Sequence, residues 1–533
     1  MDTLKAKELV ASGKAILGIE LGSTRIKSVL IGSDNHPVAQ GSYTWENQLV
    51  DGLWTYGIDE IWSGLQASYA DLCSDVRSRY GVELERLAGI GISAMMHGYM
   101  PFGKDGNILV PFRTWRNTNT GRAARELSEL FDFNIPLRWS ISHLYQAILD
   151  GEEHVGRIDF LTTLAGYIHW QLSGRRVLGI GDASGMLPVD SGAGDYSEEM
   201  IGKFDDLVSS KGFPWKLRDI LPKALMAGED AGYLTEAGAM KLDPSGRLKA
   251  GVPMCPPEGD AGTGMVATNA VRKRTGNVSA GTSSFSMIVL EKPLSRPYEV
   301  IDMVTTPDGS PVAMVHCNNC TSEFNEWVRM FGDFQKLLGV PTDESGLFNR
   351  LFNHALDGDP DCGGLVAYNY VSGEPVTGFS DGRPLFVRSA SDKFNLANFL
   401  RAQLYAAVAV LKIGNDLLFR EEKVEVDRIS AHGGFFKTPE VGQRILAAAL
   451  NSPIFVMETA GEGGAWGIAL LARYRVDNPD ALSLEDYLDK CVFVGDGGVE
   501  VIPSEKEVEG FDKYIANYKA CLPVEGAAVE AKR

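Results

Sequence analysis

Gly22-Ser23-Thr24 and Gly281-Thr282-Ser283 each place two hydroxyl residues directly after a glycine, at the end of an apolar run. Such a glycine lets backbone N–H groups close on an anion with no Cβ in the way, and the hydroxyls add donors, so either tip can cradle a phosphate. Taken singly, each is equally well an ordinary hydroxyl-rich turn. Glu20 ends the run before the first tip. A carboxylate there can hold Mg²⁺ directly or through water, or serve as a plain exposed acid. Asp260 sits in Pro256-Pro257-Glu258-Gly259-Asp260-Ala261-Gly262-Thr263-Gly264, where two prolines fix the approach and glycines admit a ligand to the backbone. It can take the proton of a hydroxyl, or cap a turn. Phosphoryl transfer asks a protein for these parts: phosphate cradles, a divalent metal site and a carboxylate near the acceptor hydroxyl.

Other segments offer the inventory of a small polar ligand. Met96-His97-Gly98 and Trp115-Arg116-Asn117 supply a stacking aromatic and hydrogen-bonding side chains of the kind a sugar needs. A lone His or Trp is more often structural. Gly433-Gly434-Phe435-Phe436 and the run from Gly461 through Gly463 and Gly464 to Gly467 each precede a helical stretch. Glycines there let an adenine and ribose lie flat on the backbone, and the packing of small helix ends is the competing account. Cys317 and Cys320 form one CxxC without a second pair at zinc-ribbon spacing, so the thiols read as buried and reduced. No GxxxxGK[ST] occurs, which disfavours a P-loop, and Gly89-Ile90-Gly91 is only part of a dinucleotide fingerprint.

These residues need elements to hold them. Ala15–Glu20 and Ile26–Ile31 read as two strands around the first tip, and Asn277–Ala280 and Phe285–Leu290 repeat the arrangement around the second. Two such hairpins in corresponding places suggest two similar domains facing one nucleotide. Between and after them, Leu87–Ser93 reads as a buried strand, Asp159–Leu172 as a helix, and Arg247–Cys255 as a strand-like run; Leu396–Phe419, Val441–Leu450 and Gly464–Tyr474 read as helices. The alternation marks an α/β chain. The expected division is 1–270, 271–476 and a C-terminal extension at 477–533, with a frayed tail from Val524.

Size and charge bound the possibilities. A chain of this length is too long for one core, and a formal charge of −19 opposes broad contact with nucleic acid or an anionic membrane. The longest apolar run, Leu404–Leu411, is too short to span a bilayer, and the first residues lack the apolar run of a secretory signal, so a cytoplasmic protein with no membrane partner is expected.

Taken together, the segments resemble the FGGY family of carbohydrate kinases, in order from Ile16 to Tyr474: Glu20-Leu21-Gly22-Ser23-Thr24, the G-x-S-x-x-M-H-G of Gly91–Gly98, the Trp turn Thr114–Asn117, Asp182-Ala183-Ser184-Gly185, Gly259-Asp260, Gly281-Thr282-Ser283 and the two late glycine segments. The resemblance implies two actin/hexokinase-like domains of ribonuclease H type, with ATP and sugar in the cleft between them. It implies Asp260 as general base, Asp260 and Glu20 at Mg²⁺, and Gly22, Ser23, Thr24, Gly281, Thr282, Ser283, Gly433, Gly434, Phe435, Gly463 and Gly464 around ATP. Met96, His97, Trp115, Asn117 and Asp260 would meet the sugar. The Met-His-Gly segment is most similar to xylulokinases, which implies D-xylulose converted to xylulose 5-phosphate, with L-ribulokinase as the competing activity. Three residues depart from the family pattern: Glu20 and Asn117 stand where Asp is usual, and Ala261 stands where a polar residue is common. A non-catalytic ATP-binding switch is the distant alternative, which retention of Glu20 and Asp260 opposes. Dimerisation is common among similar kinases, and no sequence pattern marks a homodimer surface here.

Overall fold

The computed structural model describes residues 3–341, 343–457, 463–478, 480–495 and 497–531. Ile16–Leu21 (β1) and Arg25–Ile31 (β2) form the first hairpin, pairing Ile16 with Ile31 and Leu21 with Ile26. Pro37–Thr44 (β3) joins β2 antiparallel. Gly89–Ala94 (β4) lies parallel to β1, and the short Glu258–Gly259 (β5) lies parallel to β4. The strand order is therefore β5-β4-β1-β2-β3. Near-continuous burial explains the sequence of β1, in which Glu20 is the one charged residue among apolar ones.

The second sheet repeats this plan. Thr275–Ala280 (β6) and Ser284–Val289 (β7) form the second hairpin. Asp302–Thr305 (β8) pairs antiparallel with Pro311–Cys317 (β9), which pairs antiparallel with β7. Arg428–His432 (β10) runs parallel to β6, Ile454–Met457 (β11) parallel to β10, and Gly498–Val501 (β12) closes the edge. Stripped of its outer strands, the order β9-β7-β6-β10-β11 matches the first sheet strand for strand. The chain is thus a mixed α/β protein of two actin-like units, as the resemblance implied.

Helices tie the units together. Ile180–Ala183 (α1) carries the Asp182 segment, and Asp260–Ala267 (α2) starts at the candidate base. Leu396–Asp416 (α3) is buried along most of its length in the second unit and continues as a π turn to Glu421. By length and composition alone the Leu396–Glu421 helix could cross a membrane, yet 83% of its apolar window is buried inside the protein, which makes it a core helix. Val441–Leu450 (α4) forms as its periodicity predicts. Gly463–Val476 (α5) follows β11 of the second sheet in sequence but packs on β1 and β4 of the first, and crosses α2. The crossing works because side chains are missing. A Cβ on Gly467 would stand 2.1 Å from the Thr263 carbonyl oxygen, and one on Gly18 would stand 2.1 Å from that of Ala465.

Three expectations are corrected. Asp159–Leu172 is not one helix: Phe160–Thr162 is a strand, and the helix Leu164–Ser173 begins after Thr163, whose hydroxyl accepts the Gly166 N–H. Arg247–Cys255 forms only isolated bridges, Pro253 with Tyr233 and Met254 with Ile90. Val524 onward is no frayed tail within the described residues, because Glu505–Glu530 (α6) carries the chain through it. Phe511, Tyr514 and Tyr518 are buried against the second unit, and the Glu525 carboxylate accepts the Arg383 N–H at 2.7 Å.

Candidate active site

Each hairpin tip lies at the carboxyl end of the central strand of its sheet, where parallel strands leave room for a ligand. The first tip is braced by aromatic residues. The Trp45 ring N–H donates to Gly22 O (2.7 Å), the Tyr56 hydroxyl to Ser23 O (2.6 Å), and the Trp115 ring N–H to Ser23 Oγ (3.1 Å). Trp45 and Tyr56 stack at 4.2 Å. Trp115, expected at the sugar, bonds the first glycine-hydroxyl tip. The second tip is held by the chain after β9: Cys320 N–H donates to Thr282 O (3.0 Å), and the Thr321 hydroxyl to Gly281 O (2.8 Å). This is the structural role of the CxxC region; both thiols are free and buried. The hydroxyl residues Thr24 and Thr282 remain exposed at the two tips.

Carboxylates gather beside the first tip. Glu20 faces Lys27 across the hairpin and Ser93 across β4. Burial pushes its carboxyl up to about 7, the neighbouring Asp260 adds to the rise, and Lys27 opposes it. Asp260 begins α2, deep in the protein with part of its surface open. The Met96 N–H donates to its Oδ1 at 3.1 Å. Burial raises its carboxyl, while the N–H groups of Met96 and Ala261 pull it back down. Behind it, buried Asp182 accepts the Thr163 hydroxyl at 2.7 Å, and its Oδ1 has no partner among the described residues. Glu258 accepts the N–H groups of Gly181 (3.3 Å) and Asp182 (2.9 Å). Burial pushes Asp182 up to about 7 and Glu258 to about 8, each raised further by its acidic neighbour. Burial thus raises all four acids, and among Asp182, Glu258 and Asp260 only Asp260 keeps part of its surface open.

The sugar candidates divide. Met96 is tied to Asp260 through its backbone N–H. His97 adopts φ of 70°, followed by Gly98 at 94°, so the chain turns sharply there. Its Nδ1 lies 3.2 Å from Gly185 O. A carbonyl only accepts, so the proton sits on Nδ1 and Nε2 keeps a lone pair. Burial, and then Arg138, hold this ring well below its usual pKa and therefore neutral. Asn117 differs from its expected role. Its Oδ1 accepts the Trp54 N–H (2.9 Å), and its amide donates to Trp54 O (2.8 Å) and Thr114 O (3.0 Å). Both amide hydrogens are thereby engaged, and the side chain fixes the strand Leu53–Thr55.

The late glycines divide as well. Gly433, at φ of 108°, lets the chain pass β6, for a Cβ would stand 2.3 Å from Ala280 O, while Gly434 stands in open space. The Phe435 ring, expected at ATP, is fully buried against Phe352 and Phe436 and serves the core. A Cβ on Gly464 would stand 2.3 Å from Glu20 Oε1, and one on Gly463 would stand 3.5 Å from Lys27 Nζ. Gly461 and Glu462 lie outside the described residues. Gly91 packs in β4 against Ile468 O, which explains the partial dinucleotide fingerprint without a nucleotide. Sequence reasoning passed over Lys27, which faces Glu20 across the first hairpin, and over Arg138 and His316, which come together from segments far apart in the chain.

Residues 15–266 match the N-terminal domain of the FGGY family of carbohydrate kinases, and residues 276–476 match its C-terminal domain. The chain belongs to the FGGY family of carbohydrate kinases, and hence to the ATP-using enzymes that phosphorylate sugars. Among curated relatives, the xylulose kinase of Haemophilus influenzae is 21% identical over 464 residues, spanning 84% of this chain and 89% of that protein. Among solved structures, a ligand-bound xylulose kinase from Lactobacillus acidophilus superposes with a TM-score of 0.79 at 18% identity, covering 96% of this chain and 99% of that one. A gluconate kinase from the same organism gives 0.78 at 18%, covering 96% and 98%. At these identities the structures establish the shared fold.

Proposed function

We propose that this enzyme phosphorylates a ketopentose, D-xylulose to xylulose 5-phosphate, by in-line transfer of the γ-phosphoryl group of ATP. The observation that carries the reading is the bond from Met96 N–H to Asp260 Oδ1, which joins the Met-His-Gly segment to the acid at the head of α2. Two curated relatives that match this chain in sequence are named xylulose kinases.

Asp260 takes the proton of the sugar hydroxyl as that oxygen forms its bond to the γ-phosphorus and the bond to ADP breaks. His97, with its lone pair on Nε2, accepts a second sugar hydroxyl and orients the ring or chain. The two glycine-hydroxyl tips hold the phosphates from the two units. Among the described residues no three or more His, Cys, Asp or Glu side chains gather as a metal cage. Mg²⁺ usually takes one or two carboxylates and completes its shell with water and phosphate oxygens, so Glu20 and Asp260 suffice to hold it. When bound, Mg²⁺ neutralises charge on the transferring phosphoryl group.

The test is a coupled ADP-release assay over D-xylulose, L-xylulose, D-ribulose, L-ribulose and glycerol. D-Xylulose should give the highest kcat/KM. A clear preference for L-ribulose would replace this substrate with the competing one, and glycerol as best substrate would overturn the ketopentose reading.

A further inference from the structure

The first unit supplies every sugar candidate discussed so far, yet a polar ring from the second unit points the same way. Side chains alternate along β9. Ala313, Val315 and Cys317 face the second unit's own core, whereas Val312 and Met314 pack in the cluster that contains Met96, Leu178 and Trp466. His316 shares the face of Val312 and Met314. It is the last residue of that face before the second phosphate tip, and it pairs across the sheet with Phe285, which packs on the same cluster.

The surroundings of His316 are those of the sugar side. Arg138, from the turn that precedes the buried Trp139, bears on both His316 and His97, and His316 itself bears on His97. Arg138 is tied to the second unit by its ion pair with Asp302 of β8, and Asn134 donates to the same carboxylate at 3.1 Å. Among the described residues His316 has no hydrogen-bond or ion-pair partner, although it is half-buried. Burial and the guanidinium push it down to about 4, so it is a neutral ring with one N–H and one lone pair. A half-buried ring with its donor and its lone pair both unengaged is open to a ligand that enters beside it.

We infer that His316 is the second unit's contribution to the sugar pocket, where its imidazole hydrogen-bonds a sugar hydroxyl opposite His97 and helps select the substrate. This rests on the sugar-kinase reading above and adds a consequence: the hydroxyl pattern is read from both sides of the cleft. A phosphate of the nucleotide is the lesser fit, because a neutral imidazole beside an arginine already paired to Asp302 brings no positive charge to an anion.

The test compares wild type, His316→Ala and His316→Gln with the ketopentose that wild type turns over best. Removing one partner of a buried hydrogen bond predicts a roughly 10- to 100-fold rise in KM for the sugar in His316→Ala, with KM for ATP within about twofold of wild type. His316→Gln, which keeps a donor, should recover most of the loss. Thermal unfolding of each variant, with ATP binding, separates a folding defect from a pocket defect. An unchanged sugar KM in folded His316→Ala overturns the inference, as does a rise in KM for ATP alone. If wild type phosphorylates none of the sugars, the underlying reading fails first, which is a different result from an active wild type indifferent to His316.

Discussion

At the scale of single residues, the site is a problem in placing one charge among several acids. Glu20, Asp182, Glu258 and Asp260 are all pushed toward the protonated form by burial, and of the last three only Asp260 keeps part of its surface open. Glu20→Ala is expected to lower turnover strongly and to raise the Mg²⁺ concentration for half-maximal rate; a magnesium titration checks it, and a curve identical to wild type counts against a metal role. Asn117→Asp puts back the acid that is usual in the family, but it forfeits the two N–H bonds to Trp54 O and Thr114 O. It should cost about 1 to 3 kcal/mol of stability, read by urea unfolding. Glu20 and Asp260 stand out in sequence as candidates because a glycine-rich tip and a Pro-Pro-bounded loop mark them locally. Asn117 was assigned to the sugar because an amide's partners depend on where a distant strand's backbone passes, which no local pattern records. Asp182 and Glu258 stood inside quoted segments, yet their mutual contact exists only once α1 reaches β5.

At the scale of elements, the crossing of α2 and α5 is packed against the sheet of the first unit. Thr263 lies at its centre: its carbonyl contacts Gly467, its Oγ1 lies 3.1 Å from Ser93 Oγ, and it faces Gly464 beside Glu20. Gly467→Ala, away from the carboxylates, forces the helices apart and is expected to cost about 1 to 3 kcal/mol, the usual range for overpacking. Denaturant unfolding measures that cost, and kcat should fall with it because the shift reaches Asp260 through α2. Wild-type stability in that variant would contradict the packing described here. The hairpins and the long helices were readable from periodicity, since apolar spacing of 2 or 3.6 residues is a property of the segment itself. The Gly463–Gly467 run was ambiguous between ligand approach and helix packing, and for Gly464 and Gly467 the contacts are packing contacts. Arg247–Cys255 misled because an apolar run can lie extended along a sheet edge and make only isolated bridges.

At the scale of the whole molecule, two repeats of one sheet order place their glycine-hydroxyl tips in corresponding positions, and the helix from Glu505 packs on the second unit. Deleting residues from Glu505 onward would remove Phe511, Tyr514 and Tyr518, each of which contributes about 1.5 to 3 kcal/mol by burial, and uncover the apolar surface of the second unit on which they pack. The truncated protein is expected to be recovered aggregated, which a soluble-fraction assay reports. Acid–base behaviour is also global. Burial raises Glu374, beside Asn319, from 4.5 to about 7. The folded chain therefore keeps this proton where the unfolded chain has lost it. The associated stability is present below about pH 4.5 and declines as pH rises to 7, by on the order of 3 kcal/mol. Glu374→Gln should flatten that part of the stability curve, and an unchanged slope would exclude Glu374 as its source.

The account stands most directly on the role of Asp260, and one paired measurement decides it: product formation by wild type and Asp260→Asn with ATP and the preferred ketopentose, alongside ATP affinity for both. The carboxylate acts on the acceptor hydroxyl and not on adenine, so the variant should lose turnover by at least roughly 100-fold while binding ATP nearly as wild type does. Pentulose phosphate formed at the wild-type rate by Asp260→Asn would contradict the assignment and, with it, the proposed chemistry of the cleft.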